Sequence, residues 1–234
     1  MSRERKILIF CCFVVVDILL IVGFFWLRNA TLQNVLKKEV NALGELEFIG
    51  DRFNTKIKSK GDYAVLEKAL KEYLDNYAVD LQNVLLLVYD KKLNELISIE
   101  NISSNNFSFD GSIAYVENYR LIFNSSADNL LERDLIEELN NYIYKYTNDS
   151  VTIDLYGKVI GSNDFKNNLK RSQMELEIKK IEINSHFDAI LGVLNFLNLN
   201  SDKYYIQDGE IKFLTDDLYA EYVRLMEKTK RIYG

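Results

Sequence analysis

The sequence ILIFCCFVVVDILLIVGFFWL, from Ile7 to Leu27, decides how the rest of the chain is organised. It contains one charged residue, Asp17, near its midpoint. At 1.5 Å per residue the stretch forms a helix roughly 32 Å long, close to the ~30 Å hydrocarbon core of a bilayer. A helix also satisfies its own backbone hydrogen bonds, as the bilayer interior requires. The stretch therefore predicts one transmembrane helix over residues 7–27.

The end of this stretch favours an uncleaved anchor over a cleaved signal peptide. A signal peptide has an apolar region of about 7–15 residues, and small residues precede its cleavage site. Here residues 24–28 read FFWLR, which is bulky. Cys11 follows Phe10, where a lipoprotein signal needs a small residue, so we do not expect lipid attachment either.

Basic residues on the two sides of the anchor predict its orientation. Arg3, Arg5 and Lys6 precede it, whereas Arg28 stands alone on the other side until Lys37. Because cytoplasmic flanks are enriched in Lys and Arg, we expect residues 1–6 to form a short cytoplasmic tail. The remainder of this single-pass protein of the cell membrane would then be extracytoplasmic.

Asp17 is the least expected residue of the anchor. A carboxylate at the bilayer centre costs about 2.5–3.5 kcal/mol on insertion scales. One interpretation is that Asp17 binds a membrane-protein partner, or a second copy of this chain, through the transmembrane helix. The other is that a protonated Asp17 is tolerated among its apolar neighbours. The sequence leaves both interpretations open.

Composition narrows the function of the rest of the chain. Residues 29–234 contain 25 Lys and Arg against 33 Asp and Glu, so this region is acidic. An acidic surface argues against nucleic acid as a partner. The chain has no proline, which permits long helices, and its Asn, Lys, Ile and Tyr content suggests an AT-rich bacterial genome. With 48% hydrophobic residues, we expect a folded domain with a substantial core.

Hydrophobic spacing predicts a mainly α-helical fold. We expect a helical stalk over residues 28–58, then a helical outer domain over 59–234 that forms a bundle of long antiparallel helices. The clearest helix is predicted from Tyr63 to Ile99, with Glu67 and Lys71 on its solvent face. A short turn at residues 58–62 would pair it antiparallel with the stalk.

The second half of the chain contains further helices and one hairpin. Asn101 to Gly111 is expected to form a polar loop, and Val151 to Ile160 is ambiguous between a strand and a helix. Other helices are predicted at 112–131, 134–146, 164–199 and 216–232. Asp208-Gly209 lies between two β-prone segments, which predicts a β-hairpin near 204–213 with a type I′ turn.

Tyr204 and Tyr205 are candidate partner-binding residues on this hairpin. Successive residues of a strand point to opposite faces, so one of the two tyrosines must face outward. An exposed tyrosine beside a tight turn is suited to contact another molecule. The alternative is that both are ordinary packing residues.

The sequence contains little that resembles reactive chemistry. His186 is the one histidine, and Glu182 lies four residues before it on the same helix face, a spacing that could hold a metal. With no second histidine, we interpret His186 as a hydrogen-bonded residue of the helix packing. No nucleotide-binding, hydrolase or metalloprotease motif occurs. We therefore expect no enzyme activity and no catalytic, metal or cofactor site.

Two stretches carry a family resemblance. DYAVLEKALKEYLDNYAVDLQNVLLLVYDKKLNELISIEN at 62–101 and YYIQDGEIKFLTDDL at 204–218 resemble uncharacterised single-pass membrane proteins of low-GC Gram-positive bacteria. The resemblance implies an anchored helical outer domain. It assigns no functional residue, because that group has no known activity.

Two functions follow as hypotheses. The first is a non-enzymatic, membrane-anchored interaction or structural protein of the cell envelope. The second is an accessory or sensor subunit of a membrane complex, recruited through Asp17.

Overall fold

The protein is mainly helical, with one small sheet near its C-terminus. The computed structural model describes residues 3–44, 55–87, 91–105, 108–160 and 163–230, without the side chains of residues 3–17, 44, 91, 159, 160, 163 and 164. The elements are α1 (Arg3–Gly44), α2 (Asp62–Leu86), α3 (Lys91–Glu95), α4 (Ile99–Ser104), α5 (Asp110–Leu131), α6 (Leu135–Tyr146), α7 (Ser150–Ile160), α8 (Asn163–Leu199), β1 (Tyr204–Gln207), β2 (Glu210–Phe213) and α9 (Asp216–Lys230). The predicted helical class and hairpin are confirmed.

Helix α1 has two parts in different surroundings. Within the described residues, one helical segment, Ile18–Leu43, is long and apolar enough to cross a membrane. Between Ile18 and Leu27 the large apolar side chains are exposed, whereas Leu36 and Val40 are buried. The same uninterrupted helix thus presents apolar side chains to its surroundings in one part and contributes to a protein core in the next.

The chain forms two compact units, each with its own apolar core. Unit 1 comprises Met1–Asn76 and Asp134–Leu169, and unit 2 comprises Tyr77–Arg133 and Lys170–Gly234. The large buried residues of unit 1 include Leu36, Leu66, Leu70, Leu74, Leu139 and Ile143. Those of unit 2 include Leu81, Leu93, Phe109, Phe123, Phe187, Ile190 and Leu194. Residues 29–43 of the predicted stalk therefore belong to unit 1.

Helices α1 and α2 run parallel, so the predicted antiparallel pairing is wrong. The Tyr63 hydroxyl donates to Asn29 Oδ1 at 3.1 Å. Further along both helices, Lys71 Nζ donates to Glu39 Oε2 at 3.2 Å. From the first of these hydrogen bonds to the second, the residue number rises along both helices, so the two helices run in the same direction. Residues 55–58, predicted as the end of the stalk helix, are not helical. The start of α2 therefore lies beside Asn29 of α1 and not beside the C-terminal end of that helix.

The predicted helix from Tyr63 to Ile99 is also wrong, because three helices occupy this region. Helix α2 ends at Leu86, and the short helices α3 and α4 follow. Ser98 caps α4 by accepting a hydrogen bond from the Asn101 backbone N–H at 3.3 Å. Such a cap starts a new helix. Helix α4 also occupies the start of the predicted loop, of which residues 106 and 107 lie outside the described part.

The later helices match their predicted positions. Helix α6 begins after Asp134, whose side chain accepts hydrogen bonds from the backbone N–H groups of Ile136 and Glu137. The ambiguous segment forms helix α7, and α5, α8 and α9 begin within two residues of the predicted starts. The predicted end of the last helix, residues 231–232, lies outside the described residues.

Candidate functional site

The β-hairpin of unit 2 forms the base of the candidate site. Asp208 and Gly209 have φ angles of 54° and 75°, the left-handed pair that a type I′ turn requires. This turn sets the register, in which Tyr204 pairs with Phe213 and Tyr205 with Lys212. The predicted turn is therefore confirmed.

The two tyrosines lie on opposite faces of the hairpin, because successive residues of a strand alternate between faces. Tyr204 is 4% exposed and packs against Phe213, with ring centroids 5.6 Å apart. Burial raises the pKa of Tyr204 to about 12. Tyr205 is 47% exposed. The expectation that one of them faces outward is confirmed for Tyr205, while its role in binding a partner stays a prediction.

A groove of about 520 Å³ lies beside the hairpin. Its walls are Ile99, strand β2, Tyr205 and one side of helix α9. The α9 wall contains Tyr219 and Tyr222, and the ring of Tyr222 packs at a tilt against Phe213 with ring centroids 5.2 Å apart. The volume lies within the range of about 300–1,000 Å³ that is typical of ligand pockets.

The charged side chains of the groove lining are Glu210, Lys212 and Asp216. Lys212 Nζ donates a hydrogen bond to Glu210, which lowers the pKa of Glu210. Among the described residues, no cation lies within 4.0 Å of the Asp216 carboxylate. The groove therefore combines tyrosine rings with one carboxylate that has no ion-pair partner in the described part of the chain.

Unit 1 contains a buried charged cluster that sequence reasoning missed. We define it as the buried residues Glu39, Glu67 and Lys71 together with Lys58, whose side chain is 49% exposed. Glu67 and Lys71 were predicted on the solvent face of their helix, but Glu67 is 0% and Lys71 is 2% exposed. Lys71 Nζ donates to Glu67 at 2.6 Å, to Glu39 at 3.2 Å and to the Lys56 carbonyl at 2.7 Å. Its three N–H donors are thus all used.

The Glu67 carboxylate is equally well satisfied. The backbone N–H groups of Lys58 and Ser59 donate to it at 3.0 and 2.7 Å. Burial alone would raise the pKa of Glu67, but hydrogen bonds from Lys71, Ser59 and the Lys58 backbone outweigh burial and lower it. Spacing could have revealed this position, because Glu67 lies four residues after Tyr63 and three before Leu70 on the buried stripe.

The remaining candidate residues lie apart from the groove. His186 is 1% exposed, and burial lowers its pKa, whereas Glu182 is exposed and pairs with Lys179. Within the described residues, no group of three or more His, Cys, Asp or Glu side chains could hold a metal ion. Asp17 belongs to α1, but its side chain lies outside the described part, so its partner-binding role stays a prediction.

The chain matches no protein-family model, no curated protein and no solved structure. Function must therefore be inferred from its own residues.

Proposed function

We propose that this protein is a membrane-anchored, non-enzymatic binding protein of the cell envelope, with α1 as its anchor and the groove of unit 2 as its binding surface. The observation that carries the proposal is the contrast along α1. Between Ile18 and Leu27 its large apolar side chains are exposed, at 53% for Ile18 and 71% for Trp26, whereas Leu36 is fully buried. A long exposed apolar surface is unfavourable in water and favourable in lipid.

The groove supports binding rather than catalysis as the role of unit 2. Its tyrosine rings provide large, rigid contact areas with polar hydroxyl groups, which are enriched at binding interfaces. The predicted orientation places unit 2 outside the cytoplasm, where it would meet partners of the envelope.

Cysteine labelling tests the anchor and its orientation. In a Cys11→Ala, Cys12→Ala background, Asn148→Cys should react with a membrane-impermeant maleimide in intact cells, whereas Ser2→Cys should react only after permeabilisation. Both proteins should stay in the membrane fraction after alkaline extraction. The reverse labelling pattern, or release of the protein, would contradict the proposal.

Photo-crosslinking in cells tests the binding surface. A benzophenone amino acid is introduced at Tyr205 or, as a control, at Tyr144, which is similarly exposed at 50% in unit 1. We expect an adduct with another protein at Tyr205 but not at Tyr144. If neither position gives an adduct, the groove is not the binding surface.

A second function, an accessory or sensor subunit recruited through Asp17, is supported by the continuity of α1. A partner that moved the membrane part of α1 would also act on Glu39 and Leu36, because all lie on one helix. This function predicts that Asp17→Leu abolishes co-purification of a membrane partner, whereas the first function predicts that Asp17→Leu leaves the Tyr205 adduct unchanged.

A further inference from the structure

Strand β2 lines the groove along its whole length. All four of its residues, together with the preceding Gly209, belong to the lining. Successive side chains of a strand point to opposite faces, so residues from both faces of β2 line the groove. The groove therefore includes the outer edge of β2, and Tyr205 shows that it also extends over the face that carries Lys212.

The backbone of this edge offers hydrogen-bonding groups. In a hairpin with a two-residue turn, the pair next to the turn, Gln207 and Glu210, exchanges hydrogen bonds, and every second pair after it does so too. The backbone N–H and C=O groups of Ile211 and Phe213 therefore point away from β1. Such an edge is a template for another extended chain.

Charge decides which kind of chain suits this edge. Glu210 and Lys212 neutralise one another, which leaves the full negative charge of Asp216. The N-terminus of α9 contributes only about half a positive charge. The net charge of the groove lining therefore stays negative. The rings of Tyr205 and Tyr219 can also attract a cation through their faces.

We infer that the groove binds an extended segment of a partner protein, which adds to β2 as a third strand and places a lysine or arginine side chain near Asp216. Backbone hydrogen bonds would supply affinity, and alternate side chains would supply specificity. The four residues of β2 span roughly 13 Å, so about four residues of the partner would pair with it. This inference rests on the proposed function, because it names the partner chemistry of the same groove.

Peptide binding to the full-length protein in lipid nanodiscs tests the inference. The probes are a blocked, fluorescent seven-residue peptide that alternates valine with lysine, and its counterpart that alternates valine with glutamate. Measured by anisotropy at low salt, the lysine peptide should bind about tenfold or more tightly than the glutamate peptide, because like charges face each other in the second complex. If the lysine peptide does not bind, or binds no better, the inference is wrong.

Two adjacent acids provide a matched pair of variants. Asp216 and Asp217 both lie in the first turn of α9, but only Asp216 lines the groove. Asp216→Asn should weaken binding of the lysine peptide by about fivefold, and Asp217→Asn by less than about twofold, since rim charges contribute little. Equal effects of the two substitutions would indicate attraction to an acidic surface and would overturn the inference.

Amide hydrogen exchange distinguishes strand addition from surface binding. The lysine peptide should slow exchange at Ile211 and Phe213, whereas Tyr204 and Ile206, on the outer edge of β1, should be unaffected. Unchanged exchange at Ile211 and Phe213 would overturn strand addition. Slowing that grows with protein concentration without peptide would instead assign this edge to a second copy. If both peptides fail while Tyr205 still gives an adduct in cells, the proposed function stands and only this inference fails.

Discussion

The charged cluster of unit 1 and the groove of unit 2 both contain a lysine paired with a glutamate, but the pair is buried in the cluster and exposed in the groove. In the cluster, Lys71 is 2% exposed and donates to three acceptors. In the groove, the side chains of Lys212 and Glu210 are 43% and 68% exposed. A polar group that is buried and satisfied holds segments of its own chain together, whereas one that remains in water stays available to another molecule.

The largest expected effect is the loss of the buried ammonium group. Lys71→Met leaves Glu39 and Glu67 buried without their shared partner, so we expect unfolding to become easier by about 3–5 kcal/mol. Urea unfolding followed by far-UV circular dichroism measures the change. Lys71→Met combined with Glu67→Met should recover part of the stability lost in the single variant, because Glu67 is then no longer a buried unpaired charge and Glu39 keeps Lys58 as its partner at 2.8 Å. A stability loss below about 1 kcal/mol in the single variant would contradict the structural role of the cluster.

Acid should weaken the charged cluster of unit 1. The pKa of Glu67 is lowered in the folded protein, so its stabilising contribution is present above the unfolded-state pKa of about 4.3. That contribution is lost as the pH falls through the lowered value. We therefore expect hydrogen exchange in the first turns of α2 to accelerate as the pH falls below about 4, after correction for intrinsic rates. Glu67→Gln should remove part of this dependence. Glu39 should supply the rest, because hydrogen bonds from Lys58 and Lys71 outweigh burial and lower its pKa too.

Alkali should destabilise the hairpin, because the stabilising contribution of Tyr204 is lost as the pH rises, whereas that of Glu67 is lost as the pH falls. The pKa of Tyr204 is raised to about 12, so the folded state holds this proton where the unfolded state, with a pKa of about 10, releases it. Stability should therefore fall as the pH rises from about 10 to about 12. Tyr204→Phe should remove part of that dependence, as measured by urea unfolding at each pH. Tyr205→Phe is the matched control on the exposed face, and an equal effect there would contradict the assignment.

The smallest effect on stability is expected at an exposed ion pair whose two residues, like Glu67 and Lys71, lie four positions apart. Lys158 pairs with Asp154 four residues earlier in α7, and both side chains are about 60% exposed. Lys158→Met should change stability by less than about 0.5 kcal/mol, since exposed pairs are screened by water. Urea unfolding beside Lys71→Met checks this, and similar losses in both variants would remove the distinction between buried and exposed pairs.

The candidate site could be predicted from the sequence only in part. Asp208-Gly209 predicted the turn, and the alternation of successive strand residues predicted that Tyr204 and Tyr205 lie on opposite faces. The sequence could not predict that Ile99 and Tyr219, distant along the chain, line the same groove. Such contacts depend on how helices pack, and periodicity within one helix does not encode the identity of its neighbours.

The sequence by itself determined the features that depend on a few adjacent residues: the apolar stretch over residues 7–27, the start of a helix near residue 134 and the turn at Asp208-Gly209. Only the tertiary structure decided that α2 runs parallel to α1 and that Lys71 is buried while Lys158 is exposed. The physical reason is how far apart in the sequence the interacting residues lie. Turns and caps are stabilised by hydrogen bonds between neighbouring residues, whereas burial and helix direction depend on surfaces that folding brings together from distant parts of the chain.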